Sequence, residues 1–369
     1  MAANKHKIQD AGCRTNSCLP LLASCLLLVA SCSFPGSTWP TAKIGLVAPF
    51  EGRYRYVGYD VIYAVRLALR EANEIGGVGG YNVELVAYDD GGDPLQAAEQ
   101  ARKLAVDPAV IAVIGHLREE TTVAALSVYA EAGIPLVVPA VLHSLLAEEQ
   151  GQIYHPGPPA ETVAGEMFVK LVELGQRQAA LVTRGGALGT ALQRAAQQHR
   201  LQISPVVSPE NEDWVNEVLA SGVEAVFCDA DPVTAGEAIA ALRQAGWEGT
   251  FLGGPELAAA DFSAVAGAAA EGATFVTPYP FPADAPGGAD FVAAYQAVSN
   301  GAPPGPLALP AYQAAWALLE LLEQDITANG RPTRERVGDL NAERDWSYTP
   351  LYWYRVGADS IARFITIQP

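Results

Sequence analysis

Residues 110–144 read VIAVIGHLREETTVAALSVYAEAGIPLVVPAVLHS, and the order of apolar and polar positions in this stretch decides the fold class. Ala109–Ile114 is a continuous apolar run that stops at Gly115. Thr122–Ala132 carries apolar residues at helical spacing, and a Gly-Ile-Pro turn then leads into Leu136–Val138. Strand, helix and strand at this separation predict a right-handed βαβ unit with both strands buried in a parallel sheet. Ligands bind beyond the carboxyl ends of such strands. Two segments fall there, Gly115–Thr121 and Pro139–Ser144, and the first also supplies helix N-terminal amides, which favour anionic groups.

The alternation continues on both sides. Upstream, Lys43–Ala48 reads as a buried strand, Pro49–Gly58 as a loop, and Tyr59 to Ile75 as a helix with Val61, Ala64, Val65, Ala68, Leu69 and Ala72 on one side. Tyr81–Tyr88 is the next strand and Leu95–Val106 the next helix. The glycines of GGVGG (Gly76–Gly80) follow a helix and precede a strand, the reverse of a dinucleotide fingerprint. Downstream, Gln178–Thr183, Val206–Val207, Ala225–Cys228 and Thr250–Gly253 read as strands, separated by helices over Ala187–His199, Asp213–Ala220 and Val233–Ala245. Ala311–Asp325 is a strongly apolar helix, and Leu351–Tyr354 with Arg363–Ile367 a closing hairpin. This pattern predicts a second α/β lobe, and 369 residues suffice for two.

The first residues stand outside the fold. Lys5, Lys7 and Arg14 precede the apolar core Leu19–Ala30, too short for a stable bilayer anchor, which ends in Val29-Ala30-Ser31-Cys32. This resembles a bacterial lipoprotein signal with Cys32 as the lipidated residue; Leu22-Ala23-Ser24-Cys25 fits the same pattern with a shorter core. An ordinary secretory signal with incidental cysteines is the alternative. Four of the five cysteines lie in this leader, so Cys228 is the one left in the body, where its apolar neighbours mark it as a buried small hydrophobe. Twenty-three basic against forty-one acidic side chains give a formal charge of −18, the wrong sign for nucleic acid or an anionic membrane surface.

Motifs for chemistry are missing. There is no P-loop and no G-x-S-x-G elbow, and the histidines never fall at a metal-ligand spacing such as H-E-x-x-H. No enzyme activity, metal or cofactor is expected.

The segments KIGLVAPFEG, REANEIGGVGGYNVELVAYDDGGDPLQAAEQARKL, VIAVIGHL, YAEAGIPLVVPA, FLGGPEL (Phe251–Leu257) and AAEGATFVTPYP (Ala269–Pro280) succeed one another as in type I periplasmic binding proteins. The chain resembles in particular the leucine/isoleucine/valine-binding receptors of ABC importers, from about Lys43 to its C-terminus. The resemblance implies an α/β fold of two doubly wound, Rossmann-like lobes joined by a three-strand hinge. It implies a leader over 1–32, a tether over 33–42, a first lobe of 43–157 plus 278–344, and a second of 158–277 plus 345–369. Crossovers are expected near Pro156–Ala160, Phe275–Pro280 and after Arg344.

The same resemblance locates a ligand site and shows departures from it. Where amino-acid receptors of this family offer a serine to the ligand carboxylate, this chain has Arg118-Glu119-Glu120-Thr121; where they offer a backbone amide and a threonine, it has Pro139-Ala140 and then Leu142. Leu188-Gly189 stands where a tyrosine-glycine pair is usual, and Glu256 matches the glutamate that pairs with the ligand ammonium. Losing two hydrogen bonds to a charged group weakens a carboxylate ligand by roughly 3–6 kcal/mol, on the order of 10²–10⁴ in affinity. A neutral amide, a cationic compound or a carboxylate gripped by a replacement cation remain as ligands. The site residues expected are Glu256, Glu119, Glu120, Thr121, Ala140, His143, Tyr56 and Arg184, and plainer readings stand beside several: Glu119 and Glu120 favour a helix N-terminus, Tyr56 serves rim packing and His143 sits at a loop surface.

These readings converge on a monomeric extracytoplasmic receptor in the bacterial periplasm or on the outer face of the cell membrane. It would be held by a lipid anchor and deliver a small polar solute to permease and ATPase subunits on separate chains. A sensory lipoprotein of the same fold, signalling through a partner, is the alternative.

Overall fold

A computed structural model describes residues 39–139, 153–155, 157–199, 201–334 and 350–368. The first sheet contains β1 (Thr41–Ala48), β2 (Asn82–Asp89), β3 (Val110–Gly115), β4 (Leu136–Val137) and β5 (Ile153–Tyr154). Its order is β2-β1-β3-β4-β5 and every pairing is parallel. The second contains β6 (Gln178–Thr183), β7 (Gln202–Val207), β8 (Ala225–Asp229), β9 (Thr250–Gly253), β10 (Thr274–Thr277), β11 (Leu351–Val356) and β12 (Ala362–Gln368). Its order is β12-β11-β10-β9-β8-β6-β7, parallel except for the antiparallel β10-β11-β12 edge.

Both sheets have the same wiring. The chain leaves β1 outward to β2 and crosses back to β3; it leaves β6 outward to β7 and crosses back to β8. Each therefore has a switch point, between β1 and β3 and between β6 and β8, where neighbouring loops diverge and open a crevice. This is the doubly wound α/β architecture that the apolar runs predict.

Helices cover both faces: α1 (Arg55–Glu74), α2 (Pro94–Ala105), α3 (Glu119–Ala132), α4 (Ala160–Glu173), α5 (Ala187–His199), α6 (Trp214–Ser221), α7 (Pro232–Gln244), α8 (Ala260–Ala266), α9 (Gly288–Val298) and α10 (Ala308–Asn329). Helix α1 buries the apolar stripe read from sequence but starts at Arg55 rather than Tyr59, because Val57 and Gly58 are buried as well. Gly58 is needed there, since a Cβ would lie 2.1 Å from the Pro49 carbonyl oxygen. Strand β7 spans six residues, not two, its inward positions alternating with exposed ones. Helix α4 goes unpredicted although Val163, Met167, Phe168 and Leu171 lie on its buried face. Helices α9 and α10 share one core with α1 and the first sheet, so the chain returns to that lobe after completing most of the second. Cys228 is buried among apolar neighbours, and burial raises its thiol pKa. No helix among the described residues is long and apolar enough to cross a membrane.

The loop that carries His116 is pinned from below. His116 Nδ1 lies 2.8 Å from Asp90 and Nε2 lies 3.1 Å from the Tyr129 hydroxyl. Asp90 and His116 are fully buried and Tyr129 is 1% exposed. The carboxylate can only accept, so Nδ1 carries a proton and donates to it, while Nε2 shares a hydrogen bond with the Tyr129 hydroxyl. The Thr122 hydroxyl also donates to the His116 carbonyl at 2.6 Å. Gly115 makes the turn possible, with φ 121° and a Cβ position 2.1 Å from the Val47 carbonyl oxygen.

Replacing His116 by Ala would strand a buried carboxylate and a buried hydroxyl. We expect a loss of about 3–5 kcal/mol, read as a lower chemical denaturation midpoint. Adding Asp90→Ala should cost less than the two single changes summed, since the stranded charge is then gone. An unchanged midpoint for His116→Ala would refute this role.

Candidate functional site

A cavity of about 300 Å³ lies where the two switch points face each other. From the first lobe come Tyr54, beyond β1, and Leu117–Glu120, beyond β3. From the second come Arg184 and Gly186–Leu188 after β6, Asp229–Asp231 at the end of β8, and Pro255–Glu256 after β9. Pro278 and Tyr279, just after β10, complete the wall, and the Tyr279 hydroxyl donates to the Pro139 carbonyl at 2.6 Å.

The second-lobe wall is acidic and built on neutral donors. Asp229 Oδ2 accepts from the Thr183 hydroxyl and the Gly189 N–H, both at 2.9 Å. A Cβ at 189 would lie 2.5 Å from that carboxylate oxygen, so any larger residue would displace the Asp229 side chain from this contact. Burial raises the Asp229 carboxyl above its usual range, these donors oppose the shift, and the Glu120 carboxylate across the cleft adds a smaller upward push. Asp231 caps α7, accepting from Thr234 N at 3.1 Å. Glu256 is still reached by solvent along the cleft, yet the flanking walls raise its pKa; the Tyr56 hydroxyl, which donates to it from the first lobe, opposes that.

The lobes meet around this cavity. Arg53 of the first lobe reaches the second, with Nη1 at 3.3 Å from Asp231 and 2.9 Å from the Thr234 hydroxyl. Arg184 lies 3.5 Å from the same Asp231 and 2.7 Å from Glu210. Arg55 sits 3.6 Å from Asp261. Arg118, at the N-cap of α3, lays its guanidinium 3.5 Å from the centroid of the Tyr54 ring and donates to Glu120 at 3.3 Å. Its Nε is buried without a hydrogen-bond partner, a cost the ring contact offsets.

Of the residues expected from sequence, Glu119, Glu120, Arg184 and Glu256 line the cavity. Tyr56 stands beside it, joined to Glu256, and faces a second inter-lobe cavity of about 410 Å³. Thr121 is fully buried and bonds the Arg118 carbonyl at 3.1 Å, closing the first turn of α3 rather than lining the cavity. Ala140, His143, Leu142, Cys32 and Cys25 lie outside the described residues. Tyr54, on the loop where an aromatic ring could cap a ligand, also lines the cavity, and Asp229, Asp231 and Tyr279 join the site without having been singled out for it. The signal for the two aspartates was available, since they follow the carboxyl end of an apolar run. Among the described residues, no group of three or more metal-binding side chains converges.

The second cavity contains Asp60 of α1 beside the Pro303–Pro306 loop. Its carboxylate accepts from Gly305 N at 3.0 Å, but burial dominates and pushes its pKa up to about 7.

A periplasmic binding protein family model matches residues 41–340. The chain is 25% identical over 312 residues to the leucine-, isoleucine-, valine-, threonine- and alanine-binding protein of Pseudomonas aeruginosa, covering 80% of this chain and 82% of that one. In structure it resembles a leucine binding protein of Thermotoga maritima, with a TM-score of 0.78 at 20% identity over 89% of this chain and 99% of the other. It also resembles an ABC transporter solute binding protein of R. palustris in complex with benzoate, with a TM-score of 0.75 at 19% identity, covering 89% and 96%. The fold is thus that of type I periplasmic binding proteins, and these relatives are binding proteins rather than enzymes.

Two outcomes follow from these contacts. Arg53→Ala removes the first-lobe partner of Asp231 but leaves Arg184 and Thr234 in place, so the chain should fold and open more readily. With Arg53 partly exposed the loss is about 1 kcal/mol, some fivefold in population, seen as a larger radius of gyration by X-ray scattering; an unchanged radius would rule the contact out as a latch. For Asp60, the folded state keeps a proton that the unfolded chain gives up near pH 3.8. Its contribution is therefore present below about pH 4 and lost as pH rises to about 7. Asp60→Asn should gain Tm relative to the parent across that window and then hold a constant lead, whereas a pH-independent difference would count against it.

Proposed function

The chain belongs to the periplasmic binding protein family, and on that footing we propose that it is the extracytoplasmic solute receptor of an ABC importer, closing its two lobes on a small amino-acid-like molecule. The observation that carries this reading is the cavity formed jointly by the two switch points, with Glu256 on one wall and Glu120 on the other. A ligand bridging both walls stabilises the closed form because it makes contacts that the open form cannot offer. Glu256 holds the ligand's ammonium group, Tyr56 keeps that carboxylate oriented from the opposite lobe, and Arg184, Glu119 and Glu120 shape the mouth. Ala140 and His143 belong to the same proposal.

Support for the lobe limits, 43–157 plus 278–344 and 158–277 plus 345–369, comes from the core that α9 and α10 share with the first sheet and from β11 and β12 extending the second. Names of relatives support an amino-acid-like solute: the P. aeruginosa protein is a binder of leucine, isoleucine, valine, threonine and alanine. The lipid anchor at Cys32, the tether over 33–42, and separate permease and ATPase chains complete the proposal. The reading places the protein in the periplasm or on the outer face of the cell membrane.

Thermal shift against amino acids, amides, polyamines and aromatic acids tests it. A ligand at a hundredfold excess over Kd should stabilise by about 2.7 kcal/mol and reduce the radius of gyration. Glu256→Gln should weaken any ammonium-bearing ligand about tenfold or more. A panel that neither stabilises the protein nor compacts it would defeat the receptor reading, and unchanged affinity in Glu256→Gln would take that residue out of the site.

A further inference from the structure

Among the described residues, five carboxylates and two guanidinium groups line the cavity. Both guanidinium groups already have partners. Arg184 is divided between Glu210 and Asp231, at 2.7 and 3.5 Å. Arg118 lies flat on Tyr54 with one nitrogen on Glu120, and its Nε is shut off from solvent. Asp231 draws on Arg53 as well. After these pairings Asp229 and Glu256 have, among the described residues, only neutral hydrogen-bond donors: the Thr183 hydroxyl and the Gly186 and Gly189 N–H groups for one, the Tyr56 hydroxyl for the other. Donors of this kind hold a carboxylate in its charged form and leave lone pairs for a further partner.

Closure sets carboxylates of the two lobes against one another. Glu120 of the first lobe comes close enough to Asp229 to bear on its ionisation; on Glu256, Asp229 and Asp231 push the same way while Arg118 of the first lobe opposes them. Like charges brought together from opposite lobes oppose closing unless a cation lies between them. An anionic or zwitterionic guest needs a free cation on the wall; among the described residues Arg184 is ion-paired twice and Arg118 is held by Tyr54 and Glu120, with its one unpartnered nitrogen closed to solvent. The formal charge of −18 on the chain acts in the same direction, concentrating cations around the molecule and steering them toward the cleft.

We propose that the cleft selects organic cations: compounds of net positive charge whose ammonium or guanidinium group sits between Asp229 and Glu256 of the second lobe and Glu120 of the first. This rests on the solute-receptor reading and narrows it from amino-acid-like molecules to amines, guanidines and basic amino acids. The cation links the lobes directly, replacing a repulsion across the cleft by two attractions.

Calorimetry and thermal shift on the purified protein test the assignment with five probes: agmatine, 1,4-diaminobutane, L-arginine, L-leucine and benzoate. At least one of the first three should bind, with affinity that falls as salt is raised, and compact the protein in X-ray scattering. Glu120→Gln, at a site whose side chain is 57% exposed and tolerant of change, should weaken that binding about tenfold. Asp229→Asn should do the same, with circular dichroism checking that its contacts to Thr183 and Gly189 survive. Binding of leucine or benzoate without the cations would overturn the assignment and leave the receptor reading intact. Cation affinity unchanged in Glu120→Gln would overturn it too. If none of the five binds, the assignment falls, and if none compacts the protein the receptor reading falls with it.

Discussion

A carboxylate with 2% of its side chain exposed has to be compensated, and Asp231 is compensated from both sides of the cleft. Its own lobe supplies Arg184 and the Thr234 hydroxyl; the other supplies Arg53. Removing water from a charge is expensive, so the conformation in which all three donors converge is favoured over one in which Arg53 has withdrawn. The contact is modest on the Arg53 side, where the guanidinium is 41% exposed. A modest contact suits a hinge, because an interaction worth several kcal/mol would hold the cleft shut with or without a guest.

Everything that meets at this place arrives there through parallel strand order. A parallel sheet gathers its carboxyl-end loops on one edge, and reversal of winding direction spreads two of them apart. Tyr54 and Arg118 lie beyond the strands flanking one switch point, Arg184 and Asp229 at those flanking the other. Precision comes from beneath: the Asp90–His116–Tyr129 chain fixes the loop before Arg118, and Gly189 lets an amide close on Asp229. Charged groups at the edge are thus held by buried neighbours that never touch a ligand.

This division explains what the sequence disclosed. Apolar runs separated by helical stripes are local patterns, and they announced the strands of both sheets; the return of the chain to its first lobe and the choice of Glu256 came from the resemblance to periplasmic binding proteins. Asp229 and Asp231 were passed over because acidic residues after a strand look like a solvated turn. What removes Asp231 from water is Arg53, 178 residues away, and Tyr56 finds Glu256 across 200 residues. No pattern within a window reports a partner at that distance. Helix α4 was legible from Val163, Met167 and Leu171, but it follows the Pro-rich stretch before Ala160, which reads as a loop.

The departures from the family pattern at this edge make sense together rather than singly. Where the resemblance implies a serine that holds a carboxylate, the Glu119–Glu120 pair would be a loss for a zwitterionic guest, costing roughly 1.5–3 kcal/mol for the missing hydrogen bond before any repulsion is counted. Leu188, where the resemblance implies a tyrosine, offers no hydroxyl and packs against Gly254, at which a Cβ would lie 2.4 Å from its methyl. Asp229 and Asp231 place negative charge on the opposite wall. With fewer hydroxyl donors than the resemblance implies and carboxylates on both lobes, the proposed cation preference is one electrostatic requirement met from several positions in the chain.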